Sequence, residues 1–98
     1  MKRDTVLEYL RSKKEEFRTR YGITTLGIYG SVARDEATEE SDVDIFYQTD
    51  STFSMGLFEF TAFLRNLETE LHSKIDFVNL KSMNPIIKHY AQKDFIYV

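Results

Sequence analysis

Gly30 and Ser31 are followed, after ten intervening residues, by Asp42-Val43-Asp44. These residue types at this spacing suit the handling of phosphates. Glycine admits backbone conformations closed to other residues and lets a phosphate approach the main chain. A short helix opening at Ser31 would offer free N–H groups to an anion. Residues two apart on a strand share a face, about 7 Å apart along the backbone, so Asp42 and Asp44 can share one or two hard cations. Mg²⁺ is usually held by a few carboxylates together with substrate phosphates. A phosphate cradle beside a carboxylate pair is the minimum apparatus for attack on a nucleoside triphosphate.

Asp76 is the third carboxylate of interest. It interrupts the apolar run Ile75, Phe77, Val78, and aspartate is disfavoured in mid-strand. Beside Asp44 it could complete a metal site or accept a proton from an attacking hydroxyl; the alternative is a plain edge-strand carboxylate. Asp42 has a bland alternative too, as a loop residue ahead of an exposed sheet face. His72 and His89 lack a second histidine or cysteine at ligand spacing, and no metal role is expected of them.

The elements that must position these residues follow from periodicity. A first helix is expected from about Asp4 to Arg20, capped by Asp4 or Thr5, with Thr5 and Glu8 forming a capping box. Val6, Leu7, Leu10, Phe17 and Tyr21 make its apolar stripe, and Gly22 its C′ residue. A strand over Thr25–Tyr29 runs into Gly30-Ser31, a helical turn covers Val32–Ala37, and Thr38–Ser41 is a polar loop. Asp42–Gln48 reads as a second strand, with Val43, Ile45 and Tyr47 on one face and Asp42, Asp44 and Phe46 on the other. Met55–His72 carries the longest helical pattern: Leu57, Phe60, Leu64, Leu67 and Leu71, widened by Phe58 and Phe63. A third strand spans Lys74–Val78, with Asp76 facing away from Ile75 and Phe77. A last helix over Asn84–Gln92 starts at Pro85, and the apolar tail Phe95–Val98 is expected to be buried. The order of elements predicts an α/β (α+β) fold: a mixed sheet of three or four strands with helices mainly on one side.

Composition sets the outer bounds. The 98 residues make a single small domain (residues 1–98), and 42% hydrophobic content with 14 aromatic residues argues for a folded core. The absence of cysteine excludes disulfides and thiolate zinc sites. No apolar run approaches a membrane span and the basic N-terminus lacks a secretory pattern, so a cytoplasmic protein is expected. The net charge of −3, with the N-terminal cations interleaved among acids, argues against direct nucleic-acid binding.

Gly30-Ser31-Val32-Ala33-Arg34 followed by Ser41-Asp42-Val43-Asp44-Ile45 resembles the signature of the DNA polymerase β-like nucleotidyltransferase superfamily. Within it, the short chain and the Gly-Ser-x-Ala-Arg form resemble the minimal nucleotidyltransferases. The likeness extends to the Lys74–Val78 strand and the final Phe95-Ile96-Tyr97. Where the family often has glycine after the arginine, this chain has Asp35. The resemblance implies that Asp42 and Asp44 bind Mg²⁺, that Gly30 and Ser31 hold the triphosphate of ATP, and that Asp76 is the third carboxylate, activating the acceptor hydroxyl. It leaves Arg34 either supporting the phosphates or in a structural salt bridge. Larger relatives carry an acceptor-binding domain; its absence here implies an acceptor with its own binding surface, such as a protein. Relatives of this type commonly act beside a HEPN-domain RNase toxin as the antitoxin, transferring AMP to a toxin tyrosine, which implies a hetero-oligomer. The HEPN pattern Arg-x₄-His-x-Tyr does not occur in this chain. The alternatives are an antitoxin that inhibits by binding alone, or nucleotidyl transfer to a small molecule such as an aminoglycoside.

Overall fold

Leu26 and Ile28, Val43 and Ile45, and Ile75 and Phe77 are buried apolar residues spaced two apart, and that spacing fixes which side of the sheet receives the helices. The computed structural model describes residues 2–50 and 55–98. Helix α1 (Arg3–Tyr21) is followed by β1 (Ile23–Tyr29), the short helix α2 (Gly30–Ala33), β2 (Val43–Thr49), α3 (Leu57–Leu71), β3 (Ile75–Asn79), α4 (Pro85–Ala91) and β4 (Ile96–Tyr97). Three-residue 3₁₀ turns at Leu80–Ser82 and Gln92–Asp94 flank α4. The sheet order is β3-β2-β1-β4. β2 runs antiparallel to β1 and parallel to β3, and β4 joins β1 antiparallel. This is the α+β architecture with a four-stranded mixed sheet that the pattern predicts.

Leu26, Ile28, Val43, Ile45, Ile75 and Phe77 face one way and meet Val6, Leu7, Leu10 and Phe17 of α1 and Phe63, Leu67 and Leu71 of α3. Phe63 is the hub, with ring centroids 4.8 Å from Phe17, 4.7 Å from Tyr21 and 5.2 Å from Phe77. Phe46 faces the other way, buried with Leu80 and Met83 beneath Tyr29, Val78 and Phe95. The two long helices therefore cover one face. Turns and the C-terminal segment cover part of the second, and the rest of that second face is left to the carboxylates.

Several local expectations shift. No capping box forms: α1 begins earlier than expected, with Lys2 as N-cap and no side-chain cap hydrogen bond, so Thr5 lies inside the helix. Its other end is as read, Gly22 adopting φ 66° and donating its N–H to the Arg18 carbonyl. The helical turn expected over Val32–Ala37 instead opens at Gly30 and closes after Ala33. β1 is longer than expected and β2 starts one residue after Asp42. In α3, Leu57 and Phe58 are 77% and 89% exposed, and only Phe63, Leu67 and Leu71 reach full burial. Asn84 caps α4 by accepting from the N–H groups of Ile86 and Ile87, with Pro85 in the first turn. The tail is only partly buried: Ile96 and Val98 pack on the main core, whereas Tyr97 is exposed. No helix among the described residues is long and apolar enough to cross a membrane.

Gly27 shows how closely the two halves of the sheet fit. It pairs with Phe46 on one side and Tyr97 on the other, and a Cβ added there would fall on the Phe46 ring and the Ile96 carbonyl oxygen. A backbone oxygen cannot step aside without breaking the β1–β4 ladder. Gly27→Ala is expected to cost about 1–3 kcal/mol through overpacking. A thermal melt of the variant that matches wild type within a degree would contradict this.

Candidate active site

The chain reversal after β1 places the glycine-serine turn directly over the carboxylates. Tyr29 pairs with Asp44 across β1 and β2, and Asp44 pairs with Asp76 across β2 and β3. Paired residues share a face, so Tyr29, Asp44 and Asp76 stand in a row on the side of the sheet opposite α1 and α3. The sequence left open whether Asp76 lies beside Asp44 or is a plain edge-strand carboxylate, and the parallel register places it beside Asp44.

Gly30 sits at φ 74°, the left-handed region that glycine enters without steric cost. A Cβ at Gly30 would collide with the Asp44 carboxylate. The glycine is therefore required twice over, by its own backbone and by the carboxylate packed against it. Ser31 follows, half-buried, in the first turn of α2. The first four amides of a helix have no acceptor within it, and in α2 these are Gly30, Ser31, Val32 and Ala33. Downstream, the turn is closed by N–H donations from Arg34 to the Gly30 carbonyl and from Glu36 to the Ser31 carbonyl.

Asp44 is half-buried, while Asp42 and Asp76 are exposed. Burial raises the Asp44 pKa to about 6, and the charges of Asp76 and Asp42 push in the same direction, opposed by Arg34. The Asp44 and Asp76 carboxyls come within hydrogen-bonding range. Tyr29 is held up at about 12, first by burial and then by Asp44 and Asp76. A site in which carboxylates crowd one another, with a tyrosine unable to ionise beside them, has an electrostatic deficit that a cation would remove. No three acidic or imidazole side chains among the described residues converge into a closed cation cage. The donor set fits a cation that draws its remaining ligands from phosphate and water, which is how Mg²⁺ is commonly held.

The raised pKa has a thermodynamic consequence. A carboxyl with pKa near 3.9 when unfolded and about 6 when folded binds its proton more tightly in the native state. The contribution of Asp44 to stability is then fully present below pH 4 and is lost as pH rises through about 6. At face value a rise of that size is about 3 kcal/mol, and solvent screening at a half-exposed group reduces it to about 1 kcal/mol. Melts of wild type and Asp44→Asn in EDTA between pH 4 and 7 should diverge by that amount, the variant gaining at high pH. Parallel curves would contradict it.

Arg34 lies at the C-terminal end of α2. Its Nε donates to Glu36 Oε2 at 3.0 Å, and its Nη1 donates to Asp94 Oδ2 at 2.9 Å. Of the two alternatives for Arg34, the ion pair is therefore present, while its charge still reaches Asp44. Asp35 adopts φ 62° and is exposed. That left-handed conformation is one glycine favours and aspartate tolerates. The exposed His89 ring packs edge-on to Tyr90, and His72 is the left-handed C-cap of α3.

Residues 12–98 match the family described as Polymerase beta, Nucleotidyltransferase. The chain belongs to that nucleotidyltransferase family. It is 34% identical over 89 residues to the protein adenylyltransferase MntA of Thermococcus cleftensis, a match spanning 91% of this chain and 88% of that one. It superposes on a solved minimal nucleotidyltransferase with TM-score 0.75 at 26% identity, covering 98% and 95% of the two chains. A chain from the structure of tri-AMPylated Shewanella oneidensis HEPN toxin in complex with MNT antitoxin shares the fold, with TM-score 0.60. At 15% identity over 97% of this chain and 66% of that one, the likeness speaks for the fold alone. Membership of the nucleotidyltransferase family is what the resemblance of Gly30–Arg34 and Ser41–Ile45 to that signature implies.

Two residues near the site escaped the sequence reading. Tyr29 reads as an ordinary strand aromatic, and only its register with Asp44 puts it among the carboxylates. Asp94 lies 60 positions from Arg34, and no local pattern connects the two.

Proposed function

We propose that this protein is a Mg²⁺-dependent protein adenylyltransferase that moves AMP from ATP to a tyrosine of a HEPN-domain toxin, and so serves as that toxin's antitoxin. The observation that carries the reading is the Asp44–Asp76 pair packed under the Gly30-Ser31 turn. Its support from relatives is the adenylyltransferase MntA and the shared fold of the toxin-bound MNT antitoxin.

In this reading the amides of the Gly30–Ala33 turn receive the triphosphate, and the Ser31 hydroxyl adds a hydrogen bond. Asp42 and Asp44 would hold Mg²⁺, with phosphate and water as its remaining ligands, and the ion would offset the charge developing on the phosphate and leaving oxygens. Asp76, the more exposed of the paired carboxylates, stands where an acceptor can reach it and takes the proton of the tyrosine hydroxyl. The phenolic oxygen bonds to the α-phosphorus, the bond from that phosphorus to the β-bridging oxygen breaks, and pyrophosphate leaves. Little covalent chemistry falls to the protein. Its contribution is position and charge.

The test is transfer from α-labelled ATP to a HEPN protein encoded beside this one, with the labelled residue located by mass spectrometry. Label on a tyrosine, absent with the Asp42→Ala/Asp44→Ala double variant, is the expected result. Label that persists in the double variant sinks the proposal. Toxin neutralised without any label would favour an antitoxin that acts by occlusion.

A further inference from the structure

The Arg34–Asp94 pair joins the glycine-serine turn to the C-terminal segment. Glu36 and Asp94 grip the same guanidinium but are unequal anchors. The Glu36 side chain is 65% exposed and that of Asp94 only 14%. An exposed ion pair constrains little, whereas a carboxylate held out of solvent keeps its partner in place. Asp94 itself is fixed, because it closes the 3₁₀ turn that leads through Phe95 into β4. Phe95 in turn stacks on Phe46 at 4.3 Å, two residues along β2 from Asp44. The same strand thus sets both the carboxylate and the segment that holds the arginine.

We propose that Asp94 is a positioning residue, which fixes the Arg34 guanidinium at the rim of the site so that its unused N–H groups receive the phosphates of the nucleotide. The inference rests on the nucleotide-transfer reading above. A guanidinium has five N–H donors, and the two hydrogen bonds to Glu36 and Asp94 leave others free. A free arginine side chain carries about 2 kcal/mol of rotamer entropy. Tethering it before the nucleotide arrives means that less of that freedom is lost on binding. Arg34 closes the turn that opens at Gly30, its N–H donating to the Gly30 carbonyl at 3.1 Å, and Gly30 packs against the Asp44 carboxylate, so the tethered side chain hangs from the turn that borders the carboxylates. Neutralising Asp94 would also leave the arginine with a larger net positive field. Charge alone would then tighten phosphate binding, so the two effects have opposite signs.

Calorimetric titration of the purified protein with ATP and Mg²⁺ separates them. Asp94→Asn is expected to weaken ATP binding roughly tenfold and to raise KM more than it lowers kcat. Asp94→Glu, which keeps the charge and the reach, should recover part of the loss. In an Arg34→Gln background, Asp94→Asn should have no further effect on ATP affinity. Unchanged or tighter binding in Asp94→Asn overturns the proposal, as does a loss that persists without Arg34. Should Asp94→Asn fail to fold, Asp94→Glu measured with and without the Arg34→Gln substitution decides in the same way. A wild-type protein that binds no nucleotide overturns the function proposed above and this inference with it. Normal wild-type binding with an indifferent Asp94 overturns this inference alone.

Discussion

Asp44→Asn is expected to lower nucleotidyl transfer on the order of 10³-fold or more while leaving the protein folded. Asp44 is the half-buried member of the acidic cluster, in reach of Asp76 on one side and packed under Gly30 on the other. Its carboxylate lies against Gly30 and beside its cross-strand partner Asp76. Asparagine keeps the shape, so the contact with Gly30 survives, but it removes the anion that would hold a cation against the phosphates. Losing one preorganised electrostatic group in an active site typically costs 10²–10³-fold, and a metal's contribution adds several kcal/mol to that. In metal-free buffer the same substitution relieves the crowding that raises the Asp44 pKa, so its melting temperature should equal or exceed that of wild type at pH 7. The two readouts move in opposite directions, which separates a lost charge from a lost fold. Transfer retained within tenfold would remove Asp44 from the machinery.

Phe46→Ala is expected to cost about 3–5 kcal/mol, a large share of the ~5–15 kcal/mol that typically stabilises a domain. Phe46 is fully buried on the second face of the sheet. Its ring stacks on Phe95 at 4.3 Å, meets Tyr97 edge-on at 5.1 Å and lies 6.3 Å from Tyr29. The chain there has no long helix to collapse into the space left behind, and Gly27 opposite has no side chain with which to fill it. The deletion would therefore leave a cavity and loosen β4, which holds only two residues of strand. A fall in melting temperature of more than about 10 °C is expected for a chain of this size, along with faster amide exchange at Tyr97 and Val98. Val98 donates its N–H to the Leu26 carbonyl, so its protection reports β4 docking directly. Phe46→Leu should lose markedly less, and equal losses in the two variants would show that volume is not what Phe46 supplies.

Much of this was legible in the sequence, and the reason is that the legible parts are local. Alternation over Val43–Tyr47 assigns Val43 and Ile45 to one face and Asp44 and Phe46 to the other, since a strand's period of two needs no information from elsewhere in the chain. Gly22 and Pro85 mark helix ends through their own backbone preferences. Gly30-Ser31 and Asp42-x-Asp44 lie on a strand-turn-strand unit, so their juxtaposition requires only that the intervening segment fold back.

What the sequence misread has a common cause. Thr5 and Glu8 carry the composition of a capping box, yet the helix begins earlier, since burial of Val6 and Leu7 fixes the helix more strongly than one side-chain hydrogen bond can. Leu57 and Phe58 fit the apolar stripe of α3 but stay exposed, because a stripe shows which residues are eligible for burial and the sheet's extent decides which are buried. Asp76 beside Asp44 was an eligible neighbour only; the parallel β2–β3 register made it an actual one. The choice of Asp94 as the partner of Arg34 lay wholly beyond local pattern, as did the placement of Tyr29 among carboxylates. By itself the sequence determined the elements, their apolar faces and the juxtaposition of the Gly30-Ser31 turn with Asp44, all of which depend on residues close along the chain. Strand order, register and the docking of the C-terminal segment against β1 and Phe46 were decided by the tertiary structure, because they depend on which surfaces can be buried against one another at once.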